Sequence, residues 1–101
     1  GVGRVLVVDD NHDAGDSLAA LLQALGAETA VARSGPQALA LAARWAPAVA
    51  ILDIGMPGMD GHQLAGRLRA DPAHAGLVLV ALSIEMMLRG FKAFAQQVLH
   101  G

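Results

Sequence analysis

Four polar residues each come at the end of a short apolar run of the chain. They are Asp9, Asp10, Asp53 and Ser83. Aspartates are ionised at neutral pH, and three of them close together repel one another unless a cation compensates their charge. Carboxylates without histidine or cysteine nearby suit Mg²⁺, which typically also binds phosphate oxygens, and they do not suit zinc. If the chain brings these side chains together, the pattern predicts phosphoryl transfer at a magnesium site.

The pattern of apolar residues predicts how the chain could bring these side chains together. Short β-branched runs predict strands, and apolar residues at helical spacing predict helices between them. The predicted strands are Arg4–Val8, Glu28–Ala32, 49–52 and 77–82, and the predicted helices are 14–25, 36–45 and about 61–69. This alternation is typical of a parallel sheet with right-handed crossovers. Ligands bind such sheets outside the carboxyl ends of the strands, where the four polar residues stand.

Each of these residues also has an ordinary structural interpretation. An aspartate pair after a strand usually lies in a solvated loop or caps a helix. Taken alone, the pair Asp9 and Asp10 is therefore only weak evidence for a functional site, and Asp53 taken alone is no stronger. Ser83 could simply cap a helix in the tail. The functional interpretation depends on the combination, because one consistent fold places all of them at strand ends.

The tail after Ser83 admits two structural predictions. Apolar residues there recur at spacings of three and four, which favours one amphipathic helix over residues 85–99, interrupted at Gly90. A short strand over residues 93–98 is the alternative.

The composition limits the class of protein. A length of 101 residues predicts one domain, and a hydrophobic content of 54% predicts a packed core rather than disorder. A net charge of −2 without a basic stripe argues against direct binding of nucleic acid. The chain has no cysteine, which excludes disulfides, thiolate metal sites and thiol catalysis. No apolar run approaches the roughly 20 residues of a membrane span, and no signal peptide is visible, so we expect no membrane contact and a cytoplasmic location.

Three motifs resemble those of bacterial response-regulator receiver domains. Residues 5–11 (VLVVDDN) resemble the acidic-pair motif of that family, residues 53–61 (DIGMPGMDG) its phosphoacceptor motif, and residues 80–83 (VALS) its strand that ends in Thr or Ser. The resemblance is closest to the receivers of hybrid sensor histidine kinases. It implies a flavodoxin-like, doubly wound parallel α/β sheet of strand order 2-1-3-4 in a three-layer αβα arrangement, with the fifth strand altered or missing. Residues 1–101 then form one receiver domain, atypical or truncated from about residue 84.

The resemblance also implies a role for each site residue. Asp53 is the phosphoacceptor, which takes a phosphoryl group from a phosphohistidine on a histidine kinase or a histidine phosphotransfer protein. Mg²⁺ (or Mn²⁺) is held by Asp10 directly, by Asp9 through water, by Asp53 and by the backbone carbonyl of Gly55, while Ser83 hydrogen-bonds the phosphoryl group. The chain is then a regulatory phosphoacceptor rather than an enzyme with a metabolite as product. It acts in the cytoplasm, on its own or as part of a membrane-anchored sensor kinase.

The tail departs from the family pattern. Receivers carry a lysine at the end of a fifth strand, but the spacing places Gln97 there, and Lys92 is the only lysine of the tail. The missing lysine supports an alternative function, a pseudo-receiver that acts as a phosphorylation-independent protein-interaction or dimerisation module. The shortened tail leaves a parallel strand exposed at the sheet edge, which predicts a homodimer through the atypical C-terminal segment, or a swapped tail. An aspartyl-phosphate phosphatase is disfavoured, because Gly55 stands where such enzymes need a second acid.

Overall fold

Strands and helices alternate along residues 3–100, which are the residues that the computed structural model describes. The elements are β1 (Arg4–Val8), α1 (His12–Ala24), β2 (Glu28–Ala32), α2 (Gly35–Trp45), β3 (Val49–Asp53), α3 (Gly61–Ala70), β4 (Val78–Leu82) and α4 (Ile84–His100), with a 3₁₀ turn at Pro72–His74. The predicted order of strands and helices is confirmed up to β4, with boundaries shifted by one or two residues.

The strands form one parallel sheet of order β2-β1-β3-β4. This confirms the predicted doubly wound topology, with β1 and β3 in the centre. The register sets Val8 beside Ala32 on one side and beside Leu52 on the other, and it sets Asp53 beside Leu82. The carboxyl ends of all the strands therefore lie along one edge of the sheet.

Helices cover both faces of the sheet, as the predicted three-layer arrangement requires. Leu6 and Val8 of β1 point to the face that carries α2 and α3, where they pack with Leu64 and Leu68. Val7 points to the opposite face, that of α1 and α4. Residues 5–8 of β1 are all buried, because a central parallel strand is covered on both sides. Burial of this strand holds the loop after it, with Asp9 and Asp10, in a fixed position.

Side-chain caps determine where the first three helices begin. The Asn11 side chain accepts a hydrogen bond from the backbone N–H of Ala14, and the Ser34 side chain accepts one from Gln37. Asp60 and Gln63 form a reciprocal capping box at the start of α3. Such caps each contribute about 1 kcal/mol, and here each fixes the start of a helix next to the carboxyl edge of the sheet.

The tail forms one helix, α4, in place of a fifth strand. This confirms the helical prediction for the tail, but α4 runs through Gly90 without the predicted interruption. A glycine inside a helix costs only about 1 kcal/mol, which is too little to end α4 at Gly90. Within residues 3–100 no fifth strand is present. No helix of that range, the 17-residue α4 included, combines the length and the apolarity that a bilayer crossing requires.

Candidate functional site

Three aspartate side chains converge at the carboxyl edge of the sheet. Asp9 and Asp10 follow the end of β1, and Asp53 is the last residue of β3. Because β1 and β3 are neighbouring parallel strands, their ends lie side by side. Each residue contributes one carboxylate oxygen to a group whose members all lie within 4.8 Å of one another. The structure thus brings together the three aspartates that the sequence analysis singled out, and we call them the acidic cluster.

Asp9 is the buried member of the acidic cluster. It is 2% exposed, whereas Asp53 is half-buried and Asp10 is exposed. Burial, together with the neighbouring carboxylates of Asp53 and Asp10, raises the pKa of Asp9 to about 6. The backbone N–H of Asn11, which donates to Asp9 Oδ1 at 3.0 Å, acts in the opposite direction. The raised pKa means that negative charge at this position is unfavourable unless a cation compensates it.

The ion pairs within residues 3–100 do not involve the acidic cluster. Arg33, which follows the end of β2, donates to Asp16 Oδ1 at 2.7 Å and to the backbone carbonyl of His12 at 3.3 Å. It therefore ties β2 to α1 and does not neutralise the three aspartates. A hard divalent cation with oxygen ligands fits this donor set and would relieve the repulsion.

The loop between β3 and α3 lies directly beside Asp53. A Cβ at Gly55 would stand 3.7 and 3.8 Å from the two Asp53 carboxylate oxygens, so the Gly55 backbone lies close to them. Met56 is 5% exposed and packs into the core beneath the loop. Gly58 has φ +83°, a conformation that favours glycine and turns the loop back towards α3. Met56 thus anchors the loop in the core, and the Gly55 backbone stays next to the Asp53 carboxylate.

Ser83 lies at the same edge of the sheet, directly after β4. The backbone N–H of Ile54 donates to the carbonyl of Leu82 at 3.1 Å, which sets the residue after Asp53 beside the residue before Ser83. Ser83 Oγ accepts a hydrogen bond from the backbone N–H of Met86 at 3.3 Å. Ser83 therefore caps α4, the ordinary structural interpretation of this residue. Its hydroxyl hydrogen remains available to donate.

The lysine of the tail lies away from the acidic cluster. Lys92 lines a groove between α4 and α1, where its neighbours on α1 include Ser17 and Ala24. The acidic cluster lies instead beside the start of α1. Gln97, at the spacing of the family lysine, is an exposed residue of α4 and does not end a strand. In the described part of the chain, the family lysine thus has no counterpart at a strand end.

A cleft of about 440 Å³ opens beside the acidic cluster at Asp10. One wall is the start of α2 with Arg33 and Ser34, and the other wall is the loop with Met56 and Met59. The exposed carboxylate of Asp10 is therefore accessible from solvent through an open, partly apolar cleft.

Sequence reasoning missed the residues that position the acidic cluster. Asn11 was part of a motif, but its backbone N–H to Asp9 depends on the folded loop. Gly15 is buried in α1, and a Cβ there would lie 3.4 Å from Asp9 Cβ. A Cβ at Gly61, at the start of α3, would stand 2.8 Å from the backbone oxygen of Asp53. The sequence did carry one signal for Gly15 and Gly61: glycine is unfavourable within a helix, so its presence there indicates that another group approaches the backbone closely.

The raised pKa of Asp9 leads to a prediction about stability in the absence of metal. Between about pH 4 and pH 6, Asp9 is protonated in the folded state but ionised in the unfolded state. The free energy of unfolding therefore falls as the pH rises through this range. We expect Asp9→Asn to raise the free energy of unfolding at pH 7 by up to about 3 kcal/mol. The gain should disappear below about pH 4, where both states are protonated.

Urea denaturation with EDTA between pH 4 and pH 8 measures this effect. Asp13→Asn is the matched control, because Asp13 lies in the first turn of α1 but outside the acidic cluster. A difference between Asp9→Asn and the wild type that stays constant with pH would contradict the prediction.

The sequence matches the family model described as response regulator receiver domain over residues 5–100. Among curated relatives, the response regulator PleD of Caulobacter vibrioides is 44% identical over 79 residues, which cover 76% of this chain and 17% of PleD. A response regulator receiver protein of Anaeromyxobacter sp. is 42% identical over 79 residues, which cover 77% of this chain and 33% of that protein. The chain therefore spans at most a third of the length of these two relatives.

Solved structures show the same fold. A CheY-like receiver domain protein from Methanospirillum hungatei has a TM-score of 0.73 and 30% identity, over 80% of this chain and 64% of the other. The receiver domain of the sensor histidine kinase PA1611 from Pseudomonas aeruginosa, crystallised with a magnesium ion coordinated in its active-site cleft, has a TM-score of 0.73 and 26% identity. That match covers 79% of this chain and 66% of the other. With the family model matching nearly the whole sequence, this chain belongs to the response-regulator receiver domains.

Proposed function

We propose that this chain is a phosphoacceptor receiver of a two-component phosphorelay, with Asp53 as the residue that is phosphorylated. The observation that carries the proposal is the acidic cluster, in which carboxylate oxygens of Asp9, Asp10 and Asp53 lie within 4.8 Å of one another. Three carboxylates this close together, one of them buried, destabilise the folded state unless a bound ligand compensates their negative charge. Membership in the receiver family makes a phosphoryl group and its metal the expected ligand.

The residues present fit a divalent cation at the acidic cluster. Asp9, Asp10, Asp53 and the backbone carbonyl of Gly55 would hold Mg²⁺ (or Mn²⁺), and the ion would supply positive charge to the phosphoryl oxygens. All of these ligands are oxygen atoms. Asp53 is only half-buried, so its carboxylate stays accessible to a phosphoryl donor. The magnesium ion in the PA1611 receiver is a precedent for this assignment in a related domain.

The transfer step uses Asp53 as an in-line nucleophile. A carboxylate oxygen of Asp53 forms a bond to the phosphorus of a phosphohistidine, and the P–N bond of the donor breaks. The imidazole nitrogen keeps the electron pair and takes up a proton, while Asp53 becomes an acyl phosphate. The partner is therefore a histidine kinase or a histidine phosphotransfer protein. The chain acts as a regulated module, with its own phosphorylation and hydrolysis as its only chemistry.

Ser83 would couple phosphorylation of Asp53 to a change in the surface formed by α4. Its hydroxyl hydrogen donates to a phosphoryl oxygen, while its Oγ still accepts from the N–H of Met86. Phosphorylation at Asp53 thereby acts on the first turn of α4. Couplings of this kind are commonly about 1–3 kcal/mol.

Intact mass spectrometry tests the proposed function. We expect the chain, incubated with acetyl phosphate and Mg²⁺, to gain the mass of one phosphoryl group, and to gain none when EDTA replaces Mg²⁺. The absence of any gain with Mg²⁺ would contradict the proposal.

One observation favours a second candidate function, the pseudo-receiver. Lys92, the only lysine of the chain, lines the groove between α1 and α4 and does not lie at a strand end. A receiver without this charge recognises a phosphoryl group less strongly, and it could act as a protein-interaction module that phosphorylation does not control. A chain that binds its partners equally well before and after treatment with acetyl phosphate would favour this function.

Metal binding itself leads to a separate prediction. We expect Mg²⁺ to raise the free energy of unfolding by about 2.7 kcal/mol when its concentration is a hundred times the dissociation constant, because it binds only the folded state. Asp10→Asn should remove most of this gain, since it takes away a charged ligand without disturbing the core. Thermal unfolding during a Mg²⁺ titration measures the effect, with Asp13→Asn as control. Equal stabilisation of both variants would place the ion elsewhere.

A further inference from the structure

The sheet has an open edge at β4. The backbone N–H of Val78 donates to Ala48 and the carbonyl of Leu82 accepts from Ile54, so residues 78 and 82 direct their backbone groups towards β3. Backbone groups alternate in direction along a strand, so those of Leu79 and Ala81 point to the open side. No strand of residues 3–100 covers that side. β4 therefore offers donors and acceptors ready to pair with another strand.

The side chains of β4 do nothing to protect this edge. Natural edge strands carry a lysine, a proline or a bulge that prevents pairing, whereas β4 reads VLVAL. Val78 is 56% exposed and Val80 is 36% exposed. Because side chains alternate, both point to the same face as Leu82, which is the face of α1 and α4. The open edge is therefore apolar as well as unpaired.

α4, which lies on the face to which Val78 and Val80 point, exposes an apolar stripe of its own. Its residues follow one another at spacings of four, three and four, and form one stripe along the helix: Met87, Phe91, Phe94 and Val98. Both phenylalanines are more than half exposed. Together with Val78 and Val80 the stripe exposes on the order of 600 Å² of side-chain surface, against roughly 800 Å² per partner in a stable interface.

We propose that two copies of this chain associate through antiparallel pairing of their β4 strands about a twofold axis at Val80. In this register Leu79 lies opposite Ala81 of the second copy, so the backbone groups that point outwards bond to each other. Val80 lies opposite Val80, and Val78 opposite Leu82. The result is one eight-stranded sheet, with the α4 helices of both copies on the same face.

A second copy of the chain is the expected partner of the β4 edge, because this surface is complementary to itself. A twofold axis must set each patch against an identical one, and here the outward N–H and C=O groups match without any shift of register. The α4 flanks of the two copies then approach each other over Val78 and Val80. The paired backbone groups and these flanks together bring the buried area close to that of a stable dimer.

Position 80 gives a sharp test, because each copy meets its own residue there. We expect light scattering to show a concentration-dependent dimer of the wild-type chain. Val80→Lys and Val80→Glu should each raise the dissociation constant by about tenfold or more, since like charges face each other across the axis. A mixture of the two variants should form a heterodimer, because opposite charges then meet. Met86→Lys, on an exposed residue outside the apolar stripe, is the matched control.

Circular dichroism of each variant shows whether it is folded, and the heterodimer proves that a folded variant retains a competent edge. A wild type that stays monomeric at the highest soluble concentration would overturn the proposal. A dimer that survives Val80→Lys and is lost on Phe94→Lys would also overturn it, because the interface would then be α4 alone or a swapped tail.

Discussion

Replacing Asp53 with asparagine is expected to give a folded chain that gains no phosphoryl group from acetyl phosphate and Mg²⁺. The amide side chain has nearly the same shape as the carboxylate, but it carries no charge and is not a nucleophile. The change also removes one of the carboxylates that raise the pKa of Asp9. We therefore expect the metal-free Asp53→Asn protein to be more stable than the wild type at neutral pH. Intact mass measures the first effect, and urea denaturation measures the second.

Asp60→Asn is the control for this prediction. Asp60 caps α3 at the far end of the same loop, and asparagine is an equally good cap, so α3 should keep its start. Phosphorylation of Asp60→Asn should match that of the wild type. A phosphoryl group retained by Asp53→Asn would mean that another side chain is the acceptor.

Gly61→Ala is expected to destabilise the fold by about 3 kcal/mol, at the upper end of what overpacking costs. A Cβ at Gly61 would stand 2.8 Å from the backbone oxygen of Asp53, 3.0 Å from its carbonyl carbon and 3.1 Å from the oxygen of Leu52. These are backbone atoms of a central strand, and they cannot move without breaking the sheet. The variant must shift α3 away from β3, which also displaces the loop beside Asp53.

Gly66→Ala on the same helix is the matched control. Gly66 has nothing within 4 Å of its missing Cβ, so alanine there should stabilise α3 by about 0.5–1 kcal/mol. Urea denaturation of both variants measures the difference. Gly61→Ala with the stability of the wild type would contradict the close approach of α3 to β3.

The sequence was sufficient to predict the alternation of strands and helices. β1 is a continuous apolar run because it is buried on both faces, and such a run is recognisable from residue types alone. The strand order came from the resemblance to receivers, because periodicity does not say which strands are neighbours. The convergence of Asp9, Asp10 and Asp53 then followed from the topology. Their roles as metal ligands and phosphoacceptor remain predictions that the experiments above test.

Contacts between distant segments could not be predicted from the sequence. The approach of Gly61 to Asp53 and the ion pair of Arg33 with Asp16 depend on how loops return to the sheet edge. The tail shows the same limit. Its spacing predicted a helix, but the packing of Leu88 beside α1 depends on an apolar surface that only the folded sheet creates. Gly90 was expected to interrupt the helix, yet a single helical glycine costs little and the helix is continuous.

α4 is anchored in its first half, where Ile84 and Leu88 pack against the sheet and α1, and its second half is exposed. Ile84 is fully buried beside the sheet, whereas Val98 and Leu99 at the other end are mostly exposed. A helix of 17 residues is about 25 Å long, so a tilt of about ten degrees at its buried end moves the other end by about 4 Å. The pivot coincides with the hydroxyl cap at Ser83. A small displacement at the start of α4 would in this way be amplified at the distal end of the helix.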